Sequence, residues 1–313
     1  MQIQYDRSAH SVHLKERETM HYLQEKLAVG SIIKRAIAVG LMCAAVGGVA
    51  AQNADKQPDT NGPSGNGVNN PLIMAMAWKQ TAAEYKALYH QAFNIARMQV
   101  ERALATKKPG DKPLAIVTDM DDTIIQAANY WGYLINNNKD FFDDPIWDEW
   151  IPENLVTPAP GALEFLNFCK ANNVEVFYVT SREQGPRTFE YAMGHLKVNG
   201  FPYADEKHLT VLRDTSNKEK RQIEIGQNYD IVVFLGDNLN DFRRIYYVKD
   251  IDERARLMEQ DKHLFGQKFI ILPNPTDGHW IRAIFGDSEP PATDANREIL
   301  KKAATRSHWN RLK

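Results

Sequence analysis

Leu114-Ala115-Ile116-Val117-Thr118-Asp119-Met120-Asp121-Asp122-Thr123 is the stretch on which the fold turns. Five apolar or small residues run without interruption, as in a strand buried on both faces. The run ends abruptly in carboxylates. Asp119 stands at the strand's carboxyl edge, and Asp121, two residues on, can face the same side. Two carboxylates held close repel each other, so a proton, a lysine or a divalent cation has to neutralise them. Such a pair suits chemistry in which one carboxylate attacks and the other handles a proton. A polar loop tip, where Asp is common, is the plainer reading of the same letters.

Working outward, strands alternate with helices. Trp78, Ala82, Tyr85, Tyr89, Ala92, Ala96, Val100 and Ala103 recur at three- and four-residue steps and predict one long amphipathic helix from Ile73 to about Lys107. Beyond the first strand lies a mixed, aromatic-rich segment, 130–156. Helices are expected at Gly161–Asn172, Gly185–Asn199 and Lys218–Gly226, and strands at Val174–Val179, Leu209–Leu212, Ile231–Leu235 and Phe269–Leu272. This alternation predicts an α/β fold, a doubly wound parallel sheet with a smaller, mainly helical cap region. In such sheets ligands bind at the carboxyl ends of the strands.

Two further strand ends carry chemical groups. Val179-Thr180-Ser181-Arg182 offers a hydroxyl followed by backbone N–H groups, a cradle for phosphate, although Thr and Ser also cap helices. Phe234-Leu235-Gly236-Asp237-Asn238-Leu239-Asn240-Asp241 brings a tight turn and more carboxylates, hard ligands suited to Mg²⁺. Lys218, at the start of the helix that feeds this strand, can offset the clustered negative charge.

In order and spacing, Asp119, Thr180, Lys218 and Asp237 resemble the haloacid dehalogenase superfamily of aspartate-nucleophile phosphotransferases. Trp78-Lys-Gln-Thr-Ala-Ala-Glu-Tyr85, Val176-Phe-Tyr-Val-Thr-Ser-Arg182, Gly236-Asp-Asn-Leu-Asn-Asp-Phe242 and Phe269-Ile-Ile-Leu-Pro-Asn-Pro275 narrow the likeness to its class C acid phosphatases, an exported family that includes lipoprotein 5′-nucleotidases. The resemblance spans about residues 72–285. It implies a nucleophile at Asp119 and a general acid and base at Asp121. It further implies phosphate contacts from Thr180, Ser181 and Lys218, and Mg²⁺ held by Asp119, Asp237 and the carbonyl of Asp121, with Asp241 supporting the metal's water shell.

The chain departs from that family in two places. DMDDT followed by Ile125-Gln126-Ala127 stands where the family reads DLDET followed by Leu-Asp-Asn. Asp277 stands where the family places a Tyr that suits base stacking. A broad phosphomonoesterase with at most a modest preference for 5′-nucleotides is therefore expected. Tyr130, Tyr133 and Trp280 are the candidates for aromatic faces in the substrate pocket, with core packing as the alternative. The histidines show no metal-ligand spacing, and Cys169, in FLNFCK, reads as a core thiol.

The chain has 313 residues with 38 basic and 40 acidic side chains, a net charge of −2. No global field recruits nucleic acid, and two cysteines exclude a disulfide-built scaffold. Lys34-Arg35 precedes the apolar run Ala36–Ala51, which ends in small residues, as a secretory signal does. The expected organisation is a signal peptide (1–51), a flexible linker (52–72), a phosphatase domain (73–286, cap elements about 73–107 and 124–156) and a C-terminal tail (287–313). Export to the periplasm or outer membrane of a Gram-negative cell follows. Anchoring through a lipidated Cys43 is secondary, since Gly40-Leu41-Met42 matches the lipoprotein box poorly. The expected partner is a small phosphomonoester, with no nucleic-acid polymer. Two rival functions stay open: a non-enzymatic surface ligand-binding protein on the same fold, and phosphoryl transfer to an acceptor other than water.

Overall fold

The computed structural model describes residues 69–309. The leader over 1–51, Cys43 and the linker through residue 68 lie outside the described residues, as do residues 310–313.

The quoted stretch forms β1 (Leu114–Thr118), every residue of which is buried. It is the central strand of a five-stranded parallel sheet. β4 (Glu175–Ser181) pairs with it on one side and β6 (Asp230–Gly236) on the other, with β5 (Leu209–Leu212) and β7 (Phe269–Ile271) at the edges. Alternate side chains divide between two apolar layers. Ile116, Val176, Tyr178, Val233 and Leu235 meet α2 (Ala83–Thr106), α5 (Ala162–Ala171) and α6 (Thr188–Val198). Ala115, Val117, Phe177 and Val179 meet Ile225 of α7 (Glu219–Asn228) on the opposite face. With both faces covered, no polar alternation appears in the sequence. Each large side chain so buried contributes about 1.5–3 kcal/mol.

The single helix expected over 73–107 is two. α1 (Leu72–Thr81) ends at Ala82, which is extended (φ −77°, ψ 126°), and α2 starts at the next residue. The two face different partners. Leu72 and Met76 of α1 join a second apolar cluster with Tyr130, Trp131, Leu134, Trp147 and Ile151, whereas Tyr85, Tyr89, Ala96 and Val100 of α2 face the sheet. Only α1 therefore belongs with the cap; α2 is a layer of the main body. The rest of the cap is α3 (Ala128–Asn136) and α4 (Asp144–Trp150). Its neck is a two-stranded antiparallel ribbon, β2 (Ile125–Gln126) against β3 (Thr157–Pro158).

Three further helices complete the described residues: α8 (Ile251–Gln260), α9 (His279–Phe285) and α10 (Asp294–Ala304). α10 buries no side chain of its own, yet Arg297 pairs at 2.7 Å with Asp140, which is buried in the cap. The tail is thus tied back to the body at this pair.

Candidate active site

The carboxyl edge of the sheet assembles the site. After β1 the backbone turns at once, the carbonyl of Met120 accepting from the amides of Thr123, Ile124 and Ile125, with Asp122 in the left-handed region at φ 51°. This turn sets Asp119 and Asp121 on the cleft. β6 delivers Asp237, and the following turn returns Asp241 so closely that a Cβ on Gly236 would meet Asp241 Cβ at 2.3 Å. No other residue type fits position 236 without moving that carboxylate.

Asp119, Asp237 and Asp241 bring carboxylate oxygens within 4.8 Å of one another. Lys218 Nζ donates to Asp119 Oδ1 and, at 2.7 Å, to Asp241 Oδ1. Burial alone would lower the lysine's pKa, but Asp119 and Asp241 outweigh it, and the ammonium is held charged. Asp119 is pushed upward, since burial and the neighbouring carboxylates exceed the relief from Lys218. Among the described residues no cationic side chain pairs with Asp237. Its oxygens accept from Thr123 Oγ1 at 3.0 Å and Asn274 Nδ2 at 2.7 Å, and burial with Asp241, Asp119 and Asp122 drives its pKa well above the ordinary carboxylate value. An all-oxygen cluster with one uncompensated carboxylate fits a hard divalent cation.

Asp121 is differently placed. Arg182 holds both of its oxygens, Nε to Oδ2 and Nη2 to Oδ1, each at 2.7 Å. Burial pushes Asp121 upward, but the charge and hydrogen bonds of Arg182 prevail, and the net shift is downward. A resting carboxylate, not a protonated acid, faces the cleft. Arg182 is itself set by His195, whose Nδ1 lies 3.1 Å from Nη1 and whose Nε2 meets the Ile151 carbonyl at 3.0 Å.

Thr180 lines the cleft with its hydroxyl 3.4 Å from Asp121 Oδ2. The cradle expected beyond it is narrower than the sequence suggests. Arg182's amide donates to the Leu212 carbonyl and the Ser181 hydroxyl to the Thr215 carbonyl, so both are already engaged.

The cleft has a volume of about 600 Å³. Asp119, Asp121, Thr180, Ser181, Lys218, Asp237 and Asp241 all line it. The three expected aromatic candidates do not. Tyr130 is fully buried in the cap, its hydroxyl exchanging hydrogen bonds with the Asp143 backbone. Tyr133 is 54% exposed, and the indole N–H of Trp280 is spent on the Asp277 carbonyl at 2.8 Å. The aromatic wall is instead Trp131, Phe142 and Trp147, from the same cap segment. Asn274, which reaches both Asp237 and Asp122, also went unread, as did Lys79. Lys79 is buried and donates to Asp122 Oδ1 at 2.8 Å and to Thr276 Oγ1 at 2.9 Å. A lysine one residue after Trp78, inside an apolar helix face, was the available signal.

A sequence model of the HAD superfamily, subfamily IIIB (Acid phosphatase), matches residues 65–280. The chain belongs to that family. Among solved structures it resembles a class C acid phosphatase from Bacillus anthracis with tungstate bound, at 30% identity and a TM-score of 0.68, covering 78% of this chain and 99% of that one. A second structure of the class C acid phosphatase from the same organism gives 30% identity and a TM-score of 0.68, covering 76% and 97%. The protein is a phosphomonoesterase on a HAD-like α/β fold, and the reading as a non-enzymatic binding protein falls away. Phosphatases of this superfamily generally use a divalent metal, for which the Asp119–Asp237–Asp241 cluster is a candidate seat. Among the described residues, no helix of this acid phosphatase is long and apolar enough to cross a membrane.

Proposed function

We propose that this acid phosphatase is exported, works with Mg²⁺, and hydrolyses phosphomonoesters through a phosphate carried on Asp119. The convergence of three strand ends and one helix start on a single cleft is the observation that carries this reading. It brings Asp119, Asp121, Thr180, Lys218 and Asp237 together from positions up to 118 residues apart.

A carboxylate oxygen of Asp119 attacks phosphorus, and the bond from phosphorus to the ester oxygen breaks. The departing alcohol takes a proton from Asp121. Water then attacks the phosphorus on Asp119 and gives its proton to Asp121. The Asp119–phosphorus bond breaks and inorganic phosphate leaves. Lys218 and Thr180 hold the phosphoryl oxygens throughout. Asp121 has to gain its proton in competition with Arg182, which ties turnover to acidic solution. Asp119, Asp237 and the Asp121 carbonyl would hold the Mg²⁺, with Asp241 beside them. The ion supplies positive charge where the transferring phosphoryl is most negative.

Asp277, half-buried on the cleft, favours a broad substrate range over a strict 5′-nucleotidase, because a carboxylate offers no stacking face. The basic flank and apolar run ahead of the domain support export. The test is turnover of p-nitrophenyl phosphate by the purified full chain. Chelator should abolish it and Mg²⁺ restore it. Full activity in chelator would refute the metal assignment.

A further inference from the structure

Two arginines on the same cleft have no carboxylate partner. Arg244 lies just past Asp241, and Arg282 lies in α9; both line the cleft. Their guanidinium carbons both sit over the Tyr247 ring, 3.5 and 4.2 Å from its centroid. His279 meets the same ring edge-on at 4.8 Å. Tyr247 therefore braces two cations. Arg244 is fixed further, Nη1 donating to Ser216 Oγ at 2.8 Å and its amide to Glu219 Oε1 at 2.8 Å, on either side of Lys218 in sequence. Arg282 Nε is buried without a hydrogen-bond partner. Among the described residues, no acidic side chain lies within salt-bridge distance of either guanidinium.

Burial and the cations Arg254, Arg244, Lys218 and Arg282 press the pKa of His279 down to about 3, a mark of the positive field in this corner. Acidic residues also line this cleft, and Asp287 and Glu289 flank Ser288, whose hydroxyl lies 3.1 Å from His279 Nδ1, yet neither pairs with Arg244 or Arg282, and Glu289 hydrogen-bonds Asp144. Two like charges held on one ring beside the phosphoryl-binding lysine call for an anion from outside.

We propose that Arg244 and Arg282, braced by Tyr247, form a second anion subsite that takes a phosphate or carboxylate on the leaving group. The enzyme then favours phosphomonoesters bearing a second anionic group. This rests on the phosphatase reading above and names its preferred substrate class.

The test uses the full chain and two matched substrate pairs. Glycerol 3-phosphate against 3-phosphoglycerate reports a carboxylate; AMP against adenosine 3′,5′-bisphosphate reports a phosphate. The wild type should favour the doubly anionic member of at least one pair by about tenfold in kcat/KM. Arg244→Met and Arg282→Met should each remove most of that ratio, and Arg282→Lys should keep part of it. A wild-type ratio at or below unity in both pairs overturns the subsite. So does an equal loss on both members in the variants, which would assign the arginines to the transferring phosphoryl or to folding. If neither pair nor p-nitrophenyl phosphate is turned over, the phosphatase reading itself fails, and the subsite with it.

Discussion

Arg182 grips both carboxylate oxygens of Asp121 at 2.7 Å, with its own side chain almost wholly buried and that of Asp121 partly open to the cleft. The bidentate fork fixes where Asp121 points and favours its ionised form. Asp121→Asn should therefore act twice. It removes the proton donor, so alkyl phosphates should lose far more turnover than p-nitrophenyl phosphate, whose leaving group needs no proton. It also strips a buried guanidinium of its counter-charge, at about 2 kcal/mol of stability. Kinetics on the two ester classes, with denaturant melts alongside, check both; equal losses on both esters would remove Asp121 from the acid role.

His195 gives a stability prediction with a definite sign. Burial, then Arg182, depress its pKa to about 4, below the ordinary 6.5. The unfolded chain therefore binds a proton first as pH falls, so the stability that neutral His195 contributes declines from about pH 6.5 down to about pH 4 and then levels off. The expected loss is about 3 kcal/mol. Denaturant unfolding across that range reads it, and His195→Gln should flatten that part of the curve. An unchanged slope in the variant would place the acid sensitivity elsewhere.

Much of this site was legible because its strands are buried on both faces. A continuous apolar run ending in Asp119 or Asp237 states both the strand and its carboxyl edge. The break at Ala82 was not legible, because the stripe from Trp78 to Val100 keeps helical period through it; only the two separate partners of α1 and α2 demand it. The aromatic wall was missed for a similar reason. Tyr130, Trp131 and Tyr133 are close neighbours on α3, and successive helical residues point about 100° apart. Which of them meets the cleft depends on how α3 sits on α1, and the letters do not carry that. Arg182 stood in the quoted Thr180-Ser181-Arg182 strand end, but its partner lies 61 residues away. Lys79 and Asn274 stand inside quoted stretches, but their partners Asp122 and Asp237 lie 43 and 37 residues away, and Arg244 and Arg282 have no local motif.

Lys79 and Asp122 form a buried pair that joins α1 to the turn carrying Asp119 and Asp121. Lys79→Met should cost about 3–5 kcal/mol, because it leaves a buried carboxylate without its cation. The double variant Lys79→Met with Asp122→Asn should recover most of that loss. Thermal melts of the three proteins test it; a double variant as unstable as the single would show that packing, not charge, is at stake.

Asp237 should behave in the opposite sense. Its raised pKa means that the ionised form burdens the metal-free fold at neutral pH. Asp237→Asn should raise the metal-free Tm, by about 2–4 °C for each kcal/mol relieved. It should also abolish the further rise that Mg²⁺ gives the wild type. Scanning calorimetry with and without the ion separates the two effects, and a variant that Mg²⁺ still stabilises would exclude Asp237 as a ligand.

The most direct test is to trap the covalent phosphate. Wild-type enzyme is mixed with p-nitrophenyl phosphate, quenched in acid during turnover, reduced with borohydride and digested for mass spectrometry. An acyl phosphate on Asp119 is reduced to homoserine, so the peptide containing Thr118-Asp119-Met120 should carry homoserine at position 119, and only when substrate was present. Homoserine at another aspartate, or Asp119→Asn enzyme that turns over at the wild-type rate, would contradict a phosphate carried on Asp119.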